Sequence, residues 1–401
     1  MRNVIGQPVL VAGGGIGGIS AALCLAQQGF DVQVFEQASV VSEIGAGIVL
    51  SPNCTRVLHD LGLEAALSRS AFLPEGVEMR DWRSGKVLTS SPLGASARAA
   101  YGFPAYHMHR ADLMNALIDA AHAEPRITVN VDARVERVTQ APEAVTVEAG
   151  GVAHIGAVLV GADGIHSVTR AALFGAEAAT FTGCVAWRAL VPASNLPKGL
   201  VRPMGTAWWG PGKHFVHYYM RRGELVNCVC VVEKVGWEIE SWTERGEHAE
   251  LKRDFAGWHA DLQTLIDAID PDTCFKWALF DRPPMPRWSE GRVTLLGDAC
   301  HPTLPFMAQG AAMAIEDGAV LARCLAQGSD VAASLARYES LRRERTARIQ
   351  AGSRRNAALF HLRGIKASLR NLVVGRMQSR ILHGLYSYDA LAAASDTTDL
   401  D

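Results

Sequence analysis

The sequence PVLVAGGGIGG occupies residues 8–18. Residues 8–12 form a short, continuously apolar run, which is typical of a buried strand in a parallel sheet. The glycines that follow contain the pattern GxGxxG at Gly13, Gly15 and Gly18. We therefore predict a strand and a tight glycine turn, then a helix over residues 19–28 and a second strand over residues 31–35.

This order of elements suits the binding of a dinucleotide. Gly13 would make the tight turn, Gly15 would let the backbone approach a pyrophosphate, and Gly18 would allow close packing of helix on strand. The helix N-terminus offers unpaired N–H groups and a partial positive charge to phosphates. Glu36, at the end of the second strand, can accept hydrogen bonds from a ribose diol. The segment alone does not choose between FAD and NAD.

Composition narrows the class of protein. The 401 residues are 49% hydrophobic and 20% charged, which is enough for a large α/β core and a second layer. The formal net charge is −2, with acids and bases mixed along the chain, so no basic patch favours nucleic acid. No apolar run approaches the roughly 18 residues of a membrane-spanning helix, and the first residues leave no room for a secretory leader. We expect a soluble, cytoplasmic protein.

The cysteines support the same expectation. The sequence has 8 cysteines at irregular spacings and contains no CxxC pair. Cys228 and Cys230 lie two apart on a predicted strand, but no second His/Cys pair has ligand spacing. We expect reduced, buried thiols and no metal site.

Two regions differ from the opening segment in their pattern of polar and apolar residues. Residues 74–97 and 181–275 alternate between polar and apolar side chains and hold most of the tryptophans, which predicts antiparallel strands with one exposed face. Elsewhere the βα pattern returns, with a helix at 111–123 and strands at 158–160 and 293–296. We predict an α/β fold of three parts: a Rossmann-like dinucleotide-binding domain (1–73, 98–180 and 276–334), an interleaved, mostly antiparallel β-sheet substrate domain (74–97 and 181–275), and a C-terminal helical segment (335–401).

The C-terminal segment carries a basic amphipathic pattern. Over residues 359–385, an apolar stripe runs beside five basic residues: Arg363, Lys366, Arg370, Arg376 and Arg380. Such a helix can lie on an anionic membrane. Packing on the protein's own body or on a homodimer partner is the favoured interpretation, so we do not expect membrane association.

Two further segments point to FAD. VLVGADGIHSVTR at 158–170 and VTLLGDACHP at 293–302 each place an aspartate, Asp163 or Asp298, at the carboxyl end of an apolar strand. Ligands bind at that end of α/β sheets. Together with GxGxxG, these segments resemble the DG and GD motifs of the flavoprotein aromatic hydroxylases of the para-hydroxybenzoate hydroxylase type. The resemblance covers nearly the whole chain and implies FAD as cofactor and NADH or NADPH as a transient co-substrate.

The resemblance also implies cofactor contacts. Asp298 would contact the ribitol–pyrophosphate region, and Asp163 and Arg170 would lie near the pyrophosphate. A helix beginning near Gly310 and Ala311 would point its N-terminus at the flavin, where N–H groups stabilise the anionic reduced ring. The remaining contacts implied are Ile16, Gln37, Gly47, Arg110 and Val135. Three arginines are candidates for carboxylate or phosphate contacts, although a surface position is favoured for each: Arg170, Arg188 and Arg222.

On the substrate side, three segments resemble one subgroup of this family, which contains the salicylate hydroxylases, 3-hydroxybenzoate 6-hydroxylase and 6-hydroxynicotinate 3-monooxygenase. The segments are EIGAGIVLSPN (43–53), GKHFVHYY (212–219) and PTLPFMAQG (302–310). The subgroup implies a monooxygenase that hydroxylates a small hydroxylated aromatic or N-heteroaromatic acid with NAD(P)H and O2 through a C4a-hydroperoxyflavin. Such a ring reacts faster as phenolate, so a base should touch its hydroxyl, and water must be excluded.

His214 is the predicted base and Tyr218 its predicted partner. Alternation on a strand puts residues 214, 216 and 218 on one face and His217 on the other. In the resemblance, Val49 stands where the 6-hydroxynicotinate enzyme has a histidine, and Pro305 where the 3-hydroxybenzoate enzyme has a glutamine. Both positions are predicted to contact substrate, so the two departures leave its identity open. His301 is assigned a structural role in the flavin-binding turn.

Two alternatives stay open at this point. One is an FAD-dependent epoxidase or hydroxylase of a larger apolar substrate, and the other is a flavin-binding redox sensor without turnover. The sequence does not choose the ring position, NADH or NADPH, a decarboxylative insertion of oxygen, or the oligomeric state.

Overall fold

The computed structural model describes residues 6–39, 46–234, 236–237 and 244–395. The strands are β1 (Val9–Ala12), β2 (Val32–Phe35), β3 (Gly47–Leu50), β4 (Gly76–Asp81), β5 (Val87–Pro92), β6 (Tyr106–His109), β7 (Ile127–Asn130), β8 (Val135–Gln140), β9 (Val145–Ala149), β10 (Val152–Gly156), β11 (Val158–Gly161), β12 (Thr180–Pro192), β13 (Met204–Gly210), β14 (Lys213–Met220), β15 (Leu225–Glu233), β16 (Phe275–Asp281), β17 (Ser289–Glu290) and β18 (Val293–Leu295). The helices are α1 (Ile16–Gln27), α2 (Pro52–Asp60), α3 (Glu64–Ser70), α4 (Gly94–Tyr101), α5 (Arg110–Ala123), α6 (Val168–Phe174), α7 (His248–Asp254), α8 (Ala260–Asp267), α9 (Gly310–Gln327), α10 (Val331–Phe360), α11 (Gly364–Tyr386) and α12 (Ala390–Ala393).

The opening segment folds as its sequence predicts. β1 lies inside a six-stranded sheet of order β17-β18-β11-β1-β2-β7 and pairs in parallel with β11 and β2. Its four residues are completely buried. Val9 and Val11 pack with helices in one core cluster, and Leu10 and Ala12 pack with residues of β8 and β9 in another, so both faces of the sheet are covered. α1 packs against α9, and their apolar faces form the main core with the sheet. The predicted α/β class is confirmed.

The second large sheet comes from the alternating regions. It has seven strands in the order β16-β12-β15-β14-β13-β4-β5. β4 pairs with β13 in parallel, so the sheet is mostly, but not entirely, antiparallel. β16 pairs with β12 as far as Asp281, so the sheet continues past the boundary drawn at residue 275. This strand was not predicted as part of the second sheet. Most of it is buried, so its sequence has the continuous apolar pattern of a parallel core strand and does not alternate.

The C-terminal segment contains two long helices instead of one continuous stripe. α10 ends at Phe360 and α11 begins at Gly364, so a turn interrupts the amphipathic pattern at residues 361–363. α11 packs on β5 of the seven-stranded sheet, which agrees with packing on the protein's own body. Another face of α11 exposes Ile365 and Leu372, and the side chain of Arg376 lies outside the described part of the chain. Every helix in the described ranges is too short or too polar to span a bilayer.

The cysteines are all free and buried. Burial raises the pKa of the thiols of Cys54 and Cys228 to about 12. Thiols of this kind are inert, because the thiolate is the reactive form. The predicted buried, reduced thiols are confirmed.

Candidate active site

A cavity of about 610 Å³ lies where the two large sheets meet. The turns that follow β1, β11 and β18 line one end of it, through Gly15, Gly164 and Asp298. His214 and Tyr218 of β14 line the other end, together with Trp277 of β16. The cavity therefore joins the carboxyl ends of the parallel strands, where dinucleotides bind, to the face of the second sheet.

The glycine turn after β1 has the geometry its pattern requires. Gly13 has φ +102°, and a Cβ there would lie 2.4 Å from the carbonyl oxygen of Ala162. A Cβ on Gly18 would lie 1.9 Å from the carbonyl oxygen of Gly13. A Cβ on Gly15 would meet nothing within 4 Å, so this glycine leaves an open face. α1 then begins at Ile16 without a side-chain cap, and its first N–H groups stay available to an anion.

Glu36 is held beside this turn by two backbone donors. Its Oε2 accepts a hydrogen bond from the N–H of Gly14 at 2.7 Å, and its Oε1 accepts one from Ala38 at 2.9 Å. The neighbouring Gln37 is exposed. Val135, a predicted cofactor contact, packs its side chain into a core cluster with Leu10, so that side chain serves the core.

Asp298 follows β18 and is open to the cavity, which itself lies inside the protein. Burial raises the pKa of its carboxyl, while His301 and Arg110 oppose that rise. Arg110 also lines the cavity, at the first residue of α5. The predicted pair of an aspartate and an arginine is thus brought to one place.

The carboxylate of Asp163 is engaged by residues of its own turn. Its carboxylate accepts hydrogen bonds from Ser167 Oγ at 2.5 Å, and from the N–H and Oγ1 of Thr169 at 3.0 and 3.1 Å. Asp163 therefore stabilises the start of α6, because its oxygens serve as a local cap, and the cavity is lined there by Ala162 and Gly164 instead.

The three candidate arginines have different environments. Arg170 is 5% exposed and is not a surface charge, because it donates to the carbonyl oxygens of Ala299 at 3.0 Å and Ile165 at 2.7 Å. It ties the turn after β11 to the turn after β18. Arg188 lines the cavity, with its guanidinium carbon 4.7 Å from the ring centroid of Trp277. Only Arg222 is exposed, as expected.

The N-terminus of α9 faces the cavity through Gly310 and Ala311. The preceding residue, Gln309, does not cap the helix, because its side-chain amide donates to Ser51 Oγ at 3.0 Å. The first N–H groups of α9 are therefore available to a ligand, as the sequence predicts.

A network of buried charges links α9 to α10. Glu316 and Asp317 on α9 are completely buried, and Arg342 of α10 bridges them with N–O distances of 2.7 Å each. His301 Nε2 lies 2.6 Å from Asp317, which confirms its structural role. Burial alone would raise the pKa of Asp317, but His301 and Arg342 lower it to about 2. A second arginine, Arg345, pairs with Glu316 at 2.8 Å.

At the opposite end of the cavity, β14 alternates as predicted. His214, Val216 and Tyr218 line the cavity, whereas His217 points away and accepts a hydrogen bond from Trp208 Nε1 at 3.0 Å. His214 is 3% exposed, and its Nδ1 lies 2.8 Å from Nε2 of His361. Burial and the neighbouring His361 hold the pKa of His214 well below its usual value. Burial raises the pKa of the Tyr218 hydroxyl.

Gly47 stands between the two ends of the cavity. A Cβ on Gly47 would lie 2.5 Å from Tyr218 Oη, and its N–H donates to Asn227 Oδ1 at 2.8 Å. Val49 and Pro305, the predicted substrate contacts, also line the cavity. The first three residues of the 43–53 motif lie outside the described residues.

Sequence reasoning missed two polar residues of the site. His361 contacts His214 from the turn between α10 and α11, and only the interruption of the amphipathic stripe marks that turn. Gln378 of α11 is 7% exposed and lines the cavity, and within the described residues neither polar atom of its side chain has a hydrogen-bond partner. A glutamine on a basic helix gives no sequence signal of such a position.

Comparison with known proteins identifies the family. The model of the FAD binding domain family matches residues 7–355. The chain belongs to this family. A curated relative, 3-hydroxybenzoate 6-hydroxylase of Polaromonas naphthalenivorans, is 40% identical over 394 residues, or 97% of this chain and 96% of the relative. Another, 6-hydroxynicotinate 3-monooxygenase of Bordetella bronchiseptica, is 40% identical over 361 residues, or 88% of this chain and 92% of the relative.

Solved structures agree with this assignment. Klebsiella pneumoniae HpxO, complexed with FAD and uric acid, superposes with a TM-score of 0.84 at 29% identity, covering 96% of this chain and 97% of that one. A salicylate hydroxylase substrate complex gives a TM-score of 0.83 at 26% identity, covering 97% of both chains. The resemblance found in the sequence is confirmed, and the flavoprotein is an FAD-dependent hydroxylase.

The residues of this flavoprotein fit FAD. The open face at Gly15 and the uncapped start of α1 suit a pyrophosphate, and Glu36 stands beside them for a ribose. The uncapped start of α9 suits the electron-rich side of a reduced flavin. Asp298 and Arg110 line the cavity between these two helix ends.

Proposed function

We propose that this flavoprotein hydroxylates a small aromatic or N-heteroaromatic acid that already carries a ring hydroxyl, using O2 and NADH or NADPH. One observation carries the proposal. A buried histidine, His214, lines the same cavity as the uncapped N-terminus of α9, and its Nδ1 is engaged by His361. Nε2 is therefore the nitrogen left to meet a ligand hydroxyl.

The names of the relatives support this substrate class. The relatives above act on 3-hydroxybenzoate and 6-hydroxynicotinate, which are small ring acids with a hydroxyl. The cavity volume of about 610 Å³ falls in the range of small-molecule sites. Arg188 and Gln378 line it and offer donors for a carboxylate, and the Gln378 amide has no hydrogen-bond partner in the described part of the chain.

FAD, once bound and reduced by the nicotinamide, supplies an electrophilic oxygen derived from O2. His214 removes the proton from the substrate hydroxyl and so makes the ring more electron-rich. Its lowered pKa keeps the imidazole neutral at neutral pH, which leaves a lone pair ready to accept that proton. The raised pKa of Tyr218 keeps its hydroxyl protonated, so this residue acts as a hydrogen-bond donor to substrate.

The walls of the substrate end exclude water. The buried ring of Trp209 lines the cavity and stacks on Phe360, with centroids 4.5 Å apart. Phe306 contacts His214 edge-on at 5.1 Å between centroids. Apolar rings on these sides keep water from the activated oxygen, which would otherwise be lost as peroxide.

The test is oxidation of NADH and NADPH by the FAD-loaded protein against a panel of hydroxybenzoates and hydroxypyridine carboxylates, with peroxide assayed alongside. We expect strong stimulation by one compound with little peroxide. Stimulation with stoichiometric peroxide would identify a non-substrate effector that fits the cavity. If no compound stimulates oxidation, the proposed substrate class is wrong, and a larger apolar substrate or a redox sensor becomes the better interpretation.

His214→Ala tests the assignment of the base. We expect hydroxylation to slow by about 100-fold, or to uncouple to peroxide, while FAD stays bound. His122→Ala, at an exposed position at the end of α5, is the matched control and should behave as wild type. Unchanged coupling in His214→Ala would remove His214 from the reaction.

A further inference from the structure

A chain of hydrogen-bonding groups leads from the substrate cavity to the surface. His214 Nδ1 lies 2.8 Å from His361 Nε2, and His361 Nδ1 lies 3.1 Å from Glu233 Oε1. The two imidazoles are buried, with side-chain exposure of only 3% for His361, whereas the Glu233 side chain is 47% exposed. The chain thus begins at the predicted base and ends in solvent.

The carboxylate at the outer end fixes the direction of every hydrogen bond in the chain. An ionised carboxylate only accepts, so His361 must carry its proton on Nδ1 and present a lone pair at Nε2. His214 must then carry its proton on Nδ1 and donate it to that lone pair. This leaves a lone pair at His214 Nε2, the nitrogen available to the cavity. The tautomer that a base needs is therefore the one that Glu233 selects.

Neither imidazole is suited to keeping an extra proton. Burial, together with the adjacent His361, lowers the pKa of His214. Burial also lowers the pKa of His361, although Glu233 opposes this effect and the cations Arg363 and Arg370 add to it. A base that cannot hold a proton gains from an onward acceptor, and a solvent-facing carboxylate is such an acceptor.

We propose that His361 and Glu233 form a proton exit, by which the hydroxyl proton taken up by His214 leaves the cavity; this inference rests on the proposed function. The substrate proton binds His214 Nε2, the Nδ1 proton of His214 passes to His361 Nε2, and the Nδ1 proton of His361 passes to Glu233. Each imidazole gains one proton and loses one, and Glu233 releases the proton to water. The remaining product of the transfer is the substrate phenolate.

The surrounding charges support this arrangement. Arg363 is 68% exposed and donates to Glu233 Oε2 at 3.0 Å, which leaves Oε1 to His361. Arg370 is engaged by the carbonyl oxygens of Leu359 and Phe360 at 2.8 and 3.0 Å, beside the His361 turn. The Lys213 amine, which precedes His214, bonds instead to the carbonyl oxygen of Asp254.

The experiment follows one proton without turnover. FAD-loaded protein is mixed in a stopped-flow instrument with 3-hydroxy-4-nitrobenzoate, whose phenolate is coloured, at a pH where the free probe is mainly phenol. Nicotinamide is left out. Probe colour reports ionisation in the cavity, and a pH indicator in weak buffer reports release to solvent.

We expect the wild type to ionise the probe and release one proton at the same rate. His361→Gln keeps hydrogen-bonding atoms but cannot relay, so both rates should fall about 100-fold while the probe Kd changes less than about threefold. Glu233→Gln should slow release, and Glu233→Asp, which restores a carboxylate, should recover most of it. Glu143→Gln is the matched control, because the side chain of Glu143 is 95% exposed and does not belong to the chain of hydrogen bonds.

The outcomes separate the relay from the proposed function. Wild-type rates in His361→Gln and Glu233→Gln, with the probe still bound, would overturn the relay and leave the hydroxylase proposal standing. A slow His361→Gln with an unaffected Glu233→Gln would overturn the exit through Glu233. Failure of the wild type to bind the probe would contradict the substrate class and the relay together. Because Glu233 is half-exposed, its variants keep the test decisive even if His361→Gln does not fold.

Discussion

Replacement of Arg342 by methionine should destabilise this flavoprotein severely. Arg342 is completely buried and bridges Glu316 and Asp317, at 2.7 Å to each. Methionine fills much of the same volume but leaves Asp317 with His301 as its remaining side-chain partner in the described network. Removal of one partner from a buried ion pair typically costs about 3–5 kcal/mol of the free energy of unfolding.

The same change should alter the pH dependence of stability. The folded-state pKa of Asp317, about 2, lies below its usual value of 3.8, so Asp317 contributes stability above about pH 4 and loses it as the pH falls toward 2. That shift corresponds to roughly 2 kcal/mol. In Arg342→Met the depression is lost, because the buried carboxylate is no longer compensated. The deficit relative to wild type should therefore be largest at neutral pH and shrink as the pH falls from about 4 toward 2.

Urea unfolding, followed by tryptophan fluorescence and by flavin release, measures both effects. Arg348→Met is the matched control, because Arg348 lies on the same helix but is 72% exposed and 3.8 Å from its partner Glu344. It should change stability by less than about 0.5 kcal/mol. If Arg342→Met unfolded like Arg348→Met at neutral pH, the buried network would not be what holds α9 in place.

Three further changes test the site. Asp298→Ala should lower the FAD content of the purified protein, and a full flavin absorbance would exclude Asp298 from cofactor binding. Gly47→Ala brings a Cβ to 2.5 Å from Tyr218 Oη and should cost about 1–3 kcal/mol of stability by thermal unfolding, whereas Gly384→Ala, where a Cβ meets nothing within 4 Å, should not. Gln378→Leu removes a buried amide that has no hydrogen-bond partner among the described residues, so stability should hold or rise while the substrate acid binds about tenfold more weakly. Unchanged binding by calorimetry would show that the amide does not contact substrate.

The features that the sequence predicted are local ones. The strand, glycine turn and helix at the start depend on neighbouring residues, and so do the aspartate and helix start that follow β18. Alternation along β14 placed His214 and Tyr218 on one face because the period of a strand is two residues. Such patterns predict the direction of a side chain, but not the residues that it contacts.

The features that the sequence did not predict depend on distant partners. No local pattern indicates that Glu316 and Arg342, which lie on two different helices, are buried together, since most charges on helices are exposed. The bond between His214 and His361 exists only because a turn near the C-terminus folds over β14. The hydrogen bonds of Asp163 were not predicted either, although its partners Ser167 and Thr169 lie close to it in the sequence.

The order of strands in the six-stranded sheet has a consequence for biosynthesis. β18 pairs in parallel with β11, yet the whole segment that forms β12 to β16 is translated between them. During synthesis, the edge of β11 that later pairs with β18 therefore stays unpaired until the strands of the second sheet have been made. An open parallel edge invites pairing with other chains, and such long-range pairing is slow. A chain whose synthesis stops before Val293 would keep this edge of β11 unpaired and would be prone to aggregation. Efficient folding should therefore depend on uninterrupted translation of this region.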